Sequence, residues 1–437
     1  MRPGIPWFPA NAIAAVAATV LAAGILAGCT SSSSSSAGGT SQGSSTGPIT
    51  IGASLSLDGP RSDDGTAFEK GYQLWAHDVN AHGGLLGRQV KLVILNDHSS
   101  ATTVVSNYET LIGTDHVDLT FGPYSSLLTT PASEVAARYG YAFVEGAGGA
   151  PAVFDTPVNQ ADHNVFDVSQ PVAAQMLPLV NYIKKLAQHQ PVSVAFPYTE
   201  DPFAAPPVQL AQVELSAPNL HNITIESNGY SPFVEPASGE GPATQAAQQV
   251  AKQHPTVVIL GSTDVPMVAA FVQAFKQANY NPTLFVAASG PDQGSAFTTA
   301  VGANNAAGIM VPNSWYPLES NTQSQQMVRE YIAQYSGTPA DINADVAEAY
   351  SVGQVVTQAV TATGGVDNAK IIQYLHSGAK LQSVQGPVVF DALGENAKAE
   401  GFMFQWTANK SFVAALGASG NQASGQFLPV KPNWGTG

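Results

Sequence analysis

From residue 49 onward, short apolar stretches alternate with longer stretches in which apolar residues recur at helical spacing. Residues 49–57 predict a strand that ends in a polar loop, and the apolar positions from Phe68 to Val79 then follow the period of a helix. Strands that alternate with helices predict a parallel sheet with helices on both faces. The further strands predicted in this first unit span residues 90–95, 117–121 and 141–144, and its further helices span residues 103–112 and 131–139.

The same rhythm begins again after Gln170 and predicts a second α/β unit. Two similar units in succession indicate an α/β protein with two lobes. A loop rich in proline and glycine, residues 231–242, interrupts the second unit. The helices predicted from here on span residues 171–186, 207–215, 244–253, 267–278, 323–335, 346–362 and 369–376, and the strands span residues 192–196, 221–225, 257–260, 283–286, 388–390 and 401–406.

The N-terminal segment differs from the rest of the chain. Residues 12–26 form an apolar run behind a single positive charge, Arg2, and this run is shorter than the roughly 20 apolar residues of a transmembrane helix. It ends at Leu26-Ala27-Gly28-Cys29, which resembles a bacterial lipobox, although an ordinary signal peptide followed by a chance cysteine is the alternative. We therefore predict a lipoprotein signal peptide in residues 1–28, lipidation at Cys29 and a flexible Ser/Gly-rich tether in residues 29–48.

The composition narrows the classes of function. Only 11% of the 437 residues are charged, and 31 acidic residues against 16 basic ones give a net charge of −15 with no run of Lys or Arg. That charge argues against a nucleic-acid partner. The sequence contains no G-x-S-x-G, P-loop or H-E-x-x-H motif, and its single cysteine excludes internal disulfides and Cys-rich metal sites. We therefore predict that the protein is not an enzyme and holds no cofactor and no metal; a secreted hydrolase with a dispersed site is the alternative.

Three polar loops follow strands of the first unit, at the strand ends where open α/β sheets bind ligands. The first loop spans residues 58–61. Asp58, Asp63 and Asp64 lie in or just after it, and their spacing does not match a calcium-binding loop. We interpret these acids as a solvated surface cluster.

The second and third loops have two interpretations each. Ser125 and Ser126 precede a helix, so their hydroxyls either cap that helix or donate to a ligand carboxylate beside its N-terminus. The third loop, residues 145–151, contains Gly148 and Gly149, which either let a ligand approach the backbone closely or form a plain turn.

Several segments together resemble one known family. Residues 51–60 read IGASLSLDGP, and residues 68–88 read FEKGYQLWAHDVNAHGGLLGR, similar to a G…A…D-I-N-A-x-G-G-I-x-G signature. The segments GPYSS at residues 122–126, GAGGAP at 146–151 and GPVVFD at 386–391 follow in the same order. They resemble type I periplasmic binding proteins, in particular the branched-chain amino acid or amide-binding lipoproteins of ABC importers.

The resemblance implies two Rossmann-like lobes joined by a hinge of three crossovers, near Gln170, Val311 and Pro387. A ligand would lie between the lobes, which close over it and deliver it to an ABC permease. The implied protein is a monomer, attached by its lipid to the outer face of the cell membrane. The implied N-terminal lobe comprises residues 49–170 and 311–387, and the C-terminal lobe comprises residues 171–310 and 388–430.

The resemblance also implies the ligand contacts. Ser125 or Ser126, with Ala147 and Gly148, would hold a ligand carboxylate or amide. The family's Thr-Asn pair in the third loop is here replaced by Gly148-Gly149, and its aromatic-Gly pair by Phe203-Ala204. Because of these departures, amides, urea-like compounds and aromatic compounds remain candidate solutes in addition to amino acids. A ligand sensor of the same fold is an alternative to the importer function. The candidate ligand-binding residues are Ser125, Ser126, Ala147, Gly148, Tyr198, Phe203 and, for a ligand ammonium, Asp292.

Overall fold

The computed structural model describes residues 47–233, 241–317, 321–423 and 425–435. Cys29, the predicted signal peptide and nearly all of the predicted tether therefore lie outside the described residues. No helix within the described ranges is both long and apolar enough to cross a membrane.

The first part of the described chain builds a parallel sheet whose strands are connected through helices. Residues at matching positions of its first two strands pair from Ile49 with Val90 to Leu55 with Asn96. The elements are β1 (Ile49–Leu55), α1 (Ser62–Ala81), β2 (Val90–Asn96), α2 (Ala101–Gly113), β3 (Leu119–Phe121), α3 (Ser126–Arg138), β4 (Phe143–Glu145), α4 (Pro151–Phe154), α5 (Pro157–Asp162) and β5 (Val165–Asp167). Their strands lie in the order β2-β1-β3-β4-β5, all parallel.

The next part of the chain builds a second sheet. After a 3₁₀ turn at Val172–Ala174, the elements are α6 (Leu177–Leu186), β6 (Val192–Thr199), α7 (Ala205–Leu215), β7 (Ile223–Phe233), α8 (Gly241–Gln253), β8 (Val257–Leu260), α9 (Val265–Gln277), β9 (Leu284–Ala287), α10 (Gly294–Val301), α11 (Ala303–Ala306) and β10 (Ile309–Asn313). Parallel pairing joins β6 with β7 and β8, and β9 with β8 and β10.

The last part of the chain returns to the first lobe and then completes the second. Its elements are α12 (Thr322–Tyr335), a 3₁₀ turn at Pro339–Asp341, α13 (Ala344–Thr363), α14 (Asn368–Leu375), β11 (Leu381–Ser383), β12 (Gly386–Val388), β13 (Phe402–Trp406) and β14 (Phe412–Leu416). Residues of α12 to α14 and β11 to β12 share one apolar core with β1 and α1. Strands β13 and β14 extend the second sheet in antiparallel fashion, which gives the order β14-β13-β10-β9-β8-β6-β7.

The predicted fold class, two α/β lobes connected by three crossings of the chain, is confirmed. Two of the predicted crossing points need correction. Val311 lies inside β10, whose neighbour Met310 pairs with Val286 in the second sheet, so the chain crosses after Asn313.

The third crossing also comes later than residue 387. The Phe390 ring packs on Phe166 at 5.2 Å between centroids, and the Gly394 carbonyl accepts from the Asp167 amide at 2.9 Å. Apolar packing and strand-edge hydrogen bonding thus hold residues 388–396 on the first lobe, and the chain enters the second lobe only with β13.

The close approach of α1 and α13 organises the first lobe. A Cβ atom on Gly71 would lie 2.5 Å from the Val346 carbonyl oxygen, and one on Gly353 would lie 2.2 Å from the Trp75 ring. Both glycines are therefore required by the narrow distance between the helices, since an added methyl group would collide with its neighbour. The Trp75 Nε1 group donates to Thr357 Oγ1 across the same contact at 3.1 Å.

Local contacts fix the first turns of the two helices. A Cβ on Gly65 would lie 2.1 Å from the Ser56 carbonyl, so the first turn of α1 lies directly against the end of β1. Asn343 caps α13, because its side chain accepts from the Val346 amide at 3.4 Å. The N-terminal turns of both helices carry acidic residues, Asp64 on α1 and Asp345 on α13.

Substituting Gly353→Ala should destabilise the first lobe, because the new methyl group must displace the indole ring of Trp75. We expect a loss of about 1–3 kcal/mol in the free energy of unfolding, the usual cost of overpacking a core. Urea denaturation followed by tryptophan fluorescence would measure it. Gly365→Ala is the matched control, since a Cβ there meets no atom within 4 Å. Equal stability of the two variants would contradict the proposed close contact.

Candidate functional site

A cavity of about 880 Å³ lies between the lobes, at the carboxyl ends of the parallel strands of both sheets. Its volume falls in the range of roughly 300–1,000 Å³ that is typical of small-molecule sites. This is also the edge at which open α/β sheets bind ligands. Its first-lobe wall includes Arg61, Tyr124, Ser125, Ala147, Asp167, Asp345 and Glu348, and its second-lobe wall includes Thr199, Asp201, Phe203, Asp264, Ser289 and Asp292.

An ion pair joins the two lobes across this cavity. Arg61 Nη2, from the loop after β1, lies 3.3 Å from Asp201 Oδ2, from the loop after β6, and the two side chains are 21% and 14% exposed. Arg61 Nε also donates to Ser125 Oγ at 3.1 Å. The other oxygen of Asp201 accepts from the Phe203 amide at 2.8 Å, which fixes the carboxylate in place. The pair therefore favours the arrangement in which the lobes are close together.

Acidic residues dominate the cavity wall. Among the described residues that line the cavity, seven are acidic and one, Arg61, is basic. Two of these acids have structural roles, since Asp201 pairs with Arg61 and Asp264 accepts from the Met267 amide at 2.9 Å as the cap of α9. The remaining acids on the wall are Asp167, Glu200, Asp292, Asp345 and Glu348.

A pair of carboxyl groups connects the beginnings of α1 and α13. Asp64 and Asp345 lie close enough for each to affect the pKa of the other. Burial raises the pKa of Asp64 to about 6 and raises the pKa of Asp345 well above its usual range, where the charge of Asp64 adds to the effect. Gln293 Nε2, from the second lobe, donates to Asp64 Oδ1 at 2.5 Å. The pair therefore takes part in the contact between the lobes.

Asp292 and Glu348 approach this pair from opposite lobes. Burial, together with the charge of Asp64, raises the pKa of Asp292 to about 6, while Asp292 Oδ1 accepts from the Gly290 amide at 3.0 Å. Burial also raises the pKa of Glu348 well above its usual value, with the charges of Asp167 and Asp292 adding to it. Four carboxyl groups thus destabilise one another's ionised forms between the two lobes.

Two more buried acids lie at the ends of β4 and β5. Glu145 accepts from the Gly148 amide, and burial raises its pKa well above the usual value, with the charge of Asp167 as a further cause. Asp167 is fully buried, its Oδ1 accepts from the Ser169 amide at 2.8 Å, and burial raises its pKa to about 7. The second oxygen of Asp167 has no hydrogen-bond partner among the described residues.

Comparison with known proteins identifies the family. The chain matches the family described as periplasmic binding protein over residues 48–411. It belongs to this family. The match spans both lobes and all three crossings of the chain.

Individual relatives agree with this assignment. The Leu/Ile/Val-binding protein BraC3 of Rhizobium johnstonii is 32% identical over 103 residues, which is 24% of this chain and 28% of that protein's length. The substrate-binding protein LivJ of the branched-chain amino acid transporter of Streptococcus pneumoniae, in complex with isoleucine, superposes with a TM-score of 0.70 at 18% identity, over 85% of this chain and 99% of that one. A solute-binding protein of an ABC transporter from R. palustris, in complex with benzoate, gives 0.68 at 17% identity, over 87% and 99%. The two structural likenesses show a shared fold.

Four of the residues predicted to bind ligand lie on the cavity wall of this periplasmic binding protein: Ser125, Ala147, Phe203 and Asp292. Ser125 immediately precedes α3, but its side chain makes no cap hydrogen bond and instead accepts from Arg61. The structure therefore does not show the Ser125 side chain capping the helix.

The other three predicted residues, Ser126, Gly148 and Tyr198, are not among the wall residues. The Ser126 hydroxyl lies 3.4 Å from the Ala147 carbonyl, and the Gly148 amide already donates to Glu145. Tyr198 is buried in the core of the second lobe, since alternate residues of a strand face opposite sides of the sheet and Thr199 faces the cavity instead.

Neighbouring protein atoms leave no room for side chains at the glycines of the third loop. A Cβ on Gly148 would lie 2.4 Å from Thr129, and one on Gly149 would lie 2.3 Å from Asp167. A Cβ on Gly146 would lie 3.1 Å from the Glu348 carbonyl oxygen on α13. These glycines therefore allow the buried acids and α13 to come close to the loop.

The sequence interpretation missed most of the acidic wall. The sequence places Asp64 in a solvated cluster, but in the structure it lies in the first turn of α1 and accepts from Gln293 of the other lobe. Asp58 does remain exposed, next to His98. The sequence does contain a pattern that points to two of the wall acids. Asp345 and Glu348 are three residues apart on α13, whose other residues are mostly apolar and buried, so both acids lie on one face of a buried helix. Among the described residues, no group of three or more His, Cys, Asp and Glu is arranged to hold a metal ion.

The buried acids predict that the ligand-free protein loses stability as the pH rises. Folded-state pKa values of about 6 for Asp64 and Asp292 and about 7 for Asp167 exceed the unfolded values of about 4. The folded state therefore binds more protons between about pH 4 and pH 7, and this contribution to stability is lost across that window. Asparagine resembles the protonated acid. Substituting Asp167→Asn should therefore make the melting temperature fall less steeply as the pH rises.

Calorimetric melting at several pH values would measure that slope. Asp115→Asn removes one negative charge at an exposed position of the same lobe and should leave the slope as in the unmodified protein. An unchanged slope in Asp167→Asn would mean that Asp167 is ionised in the folded protein.

Proposed function

We propose that this protein is the extracytoplasmic solute-binding lipoprotein of an ABC importer, and not an enzyme. It captures a small polar solute between its lobes and delivers it to a permease. The observation that carries this proposal is the cavity of about 880 Å³, closed by the Arg61–Asp201 pair, in a protein of the periplasmic binding family. A cavity whose two walls belong to separate lobes can open to admit a solute and close to retain it.

The lipid anchor is part of the same proposal. Cleavage before Cys29 and lipid attachment to its sulfur would keep the protein at the outer face of the membrane, with residues 30–48 as a tether. The first strand begins at Ile49, directly after this segment. A receptor so attached would search for its solute close to the transporter.

Substituting Cys29→Ala should release the protein from the membrane fraction into the soluble fraction, because no thioether can form. Its affinity for the solute should stay unchanged, since the cavity walls begin with Pro60. Immunoblotting of separated fractions and calorimetric titration would measure the two properties. Retention of the variant in the membrane would contradict lipid anchoring at this residue, and a loss of affinity would contradict a passive tether.

Substituting Asp201→Asn should weaken the closed arrangement, because Arg61 loses its charged partner in the other lobe. For a partly exposed pair we expect about 1 kcal/mol, or roughly a fivefold loss of solute affinity. X-ray scattering of the ligand-free protein should show a larger radius of gyration than that of the unmodified protein. Glu109→Gln is the matched control, because the Glu109–Arg138 pair, 3.1 Å long, lies within the first lobe. Equal effects of the two substitutions would refute the inter-lobe role.

The solute itself can be identified directly. Mass spectrometry of small molecules released from the purified protein by denaturation, followed by calorimetric titration of those found, would test solute binding. If no amino acid, amide, amine or aromatic acid binds, the proposal is refuted.

A further inference from the structure

The charge of the cavity wall distinguishes among classes of solute. The one basic residue on the described wall, Arg61, is already paired with Asp201. Asp292, Asp345 and Glu348 then remain without a basic partner among the described wall residues, and they face one another from both lobes. An anionic or zwitterionic solute would place its carboxylate among carboxylates, so this wall is unfavourable for it.

Asp167 provides independent evidence of a missing donor. It is fully buried and lines the same cavity, but it lies at the end of β5 and not on α13. Its Oδ2 atom has no hydrogen-bond partner within the described part of the chain, although buried carboxylate oxygens normally have one. Gln170, only 9% exposed, likewise lines the cavity with an unpartnered Oε1 atom. Gln170 Oε1 and the ionised form of Asp167 are acceptors, so the ligand that suits them is rich in N–H donors.

We propose, on the basis of the solute-binding function above, that the cleft takes a small organic cation of the amine or guanidinium class, with a net positive charge. Its nitrogen would lie between Asp345 and Glu348 of the first lobe and Asp292 of the second. N–H donors of the cation would take the place of the protons that these carboxyl groups now hold. A cation between acids of both lobes also favours closure, because it attracts each wall toward the other.

Binding should therefore release protons. The acids have raised pKa values, so a cation that binds their ionised forms displaces protons to solvent, and its affinity should increase with pH. The titratable and charged groups on the cavity wall or acting on its acids are Arg61 after β1, Asp63 and Asp64 on α1, Tyr124 after β3, Glu145 and Asp167 at the ends of β4 and β5, Glu200 and Asp201 after β6, Asp264 before α9, Asp292 after β9, Asp345 and Glu348 on α13, and Glu395. Two neutral side chains, Gln293 and the α13 cap Asn343, donate to Asp64 and Asp345 respectively.

Calorimetric titration of the full-length protein in detergent would test the inference with putrescine and agmatine as cationic probes, and isoleucine, benzoate and calcium chloride as comparisons. We expect at least one cationic probe to bind, about tenfold or more tightly at about pH 8 than at about pH 5.5, on either side of the acids' pKa values. Heats measured in buffers of different ionisation enthalpy should reveal the released protons.

Two variants connect that binding to the acids. Asp345→Asn resembles the protonated acid, so it should fold, yet weaken the cationic probe about tenfold or more and reduce proton release. Glu348→Gln serves as the second variant if Asp345→Asn fails to fold by circular dichroism. Asp115→Asn removes the same charge from an exposed position outside the cavity and should bind as the unmodified protein does.

The outcomes separate this inference from the proposed function. If isoleucine or benzoate binds and no cationic probe does, the inference of a cationic solute is overturned, but the solute-binding function stands. Binding of calcium alone would overturn it as well, in favour of a metal ion. If no probe and no co-purified compound binds, both the inference and the proposed function fail.

Discussion

The contact between α1 and α13 is the constraint on which the rest of the first lobe depends. At Gly71 and Gly353 the two helices approach so closely that a single methyl group would overlap a carbonyl or a ring. Helices held this tightly cannot shift independently, because packed cores are rigid and resist small displacements. The first turns of both helices are therefore fixed relative to the sheet, and with them the carboxyl groups of Asp64 and Asp345. A short-range steric requirement in the core thus places two acids where burial raises the pKa values of both.

That placement gives the cleft its electrostatic character. Water would stabilise isolated carboxylates, but burial between two lobes removes it, and the neighbouring acids add repulsion. The protein compensates in two ways: protons stay on some of the acids, and amides such as those of Ser169 and Gly290 donate to others. The acids on the wall are thus tolerated without basic partners, and they remain available to a ligand that brings positive charge.

The fold was predictable from the sequence because it depends on periodicity, which is a local property. The alternation of strands and helices predicted both lobes, and the motifs from residue 51 to residue 391 indicated the family. The crossing points were less accurate, because an apolar stretch such as that at Val311 fits a hinge or a strand equally until its sheet partners are known. The acidic wall could not be assembled at all, since Asp64, Asp292 and Asp345 are far apart in the chain and meet only through packing. The glycines of the third loop show the same limit: sequence alone could not distinguish space for a ligand from space for Asp167.

In the proposed function, the solute would supply most of the free energy that closes the lobes. A partly exposed ion pair such as Arg61–Asp201 is worth about 1 kcal/mol, which changes the ratio of closed to open protein only about fivefold. Moving a two-state equilibrium from almost entirely open to almost entirely closed requires roughly 5.5 kcal/mol of differential affinity. The remainder must come from contacts that a solute makes only when both walls reach it. The acids of α13 and Asp292 lie on opposite walls, so a cation between them would make such contacts only in the closed state.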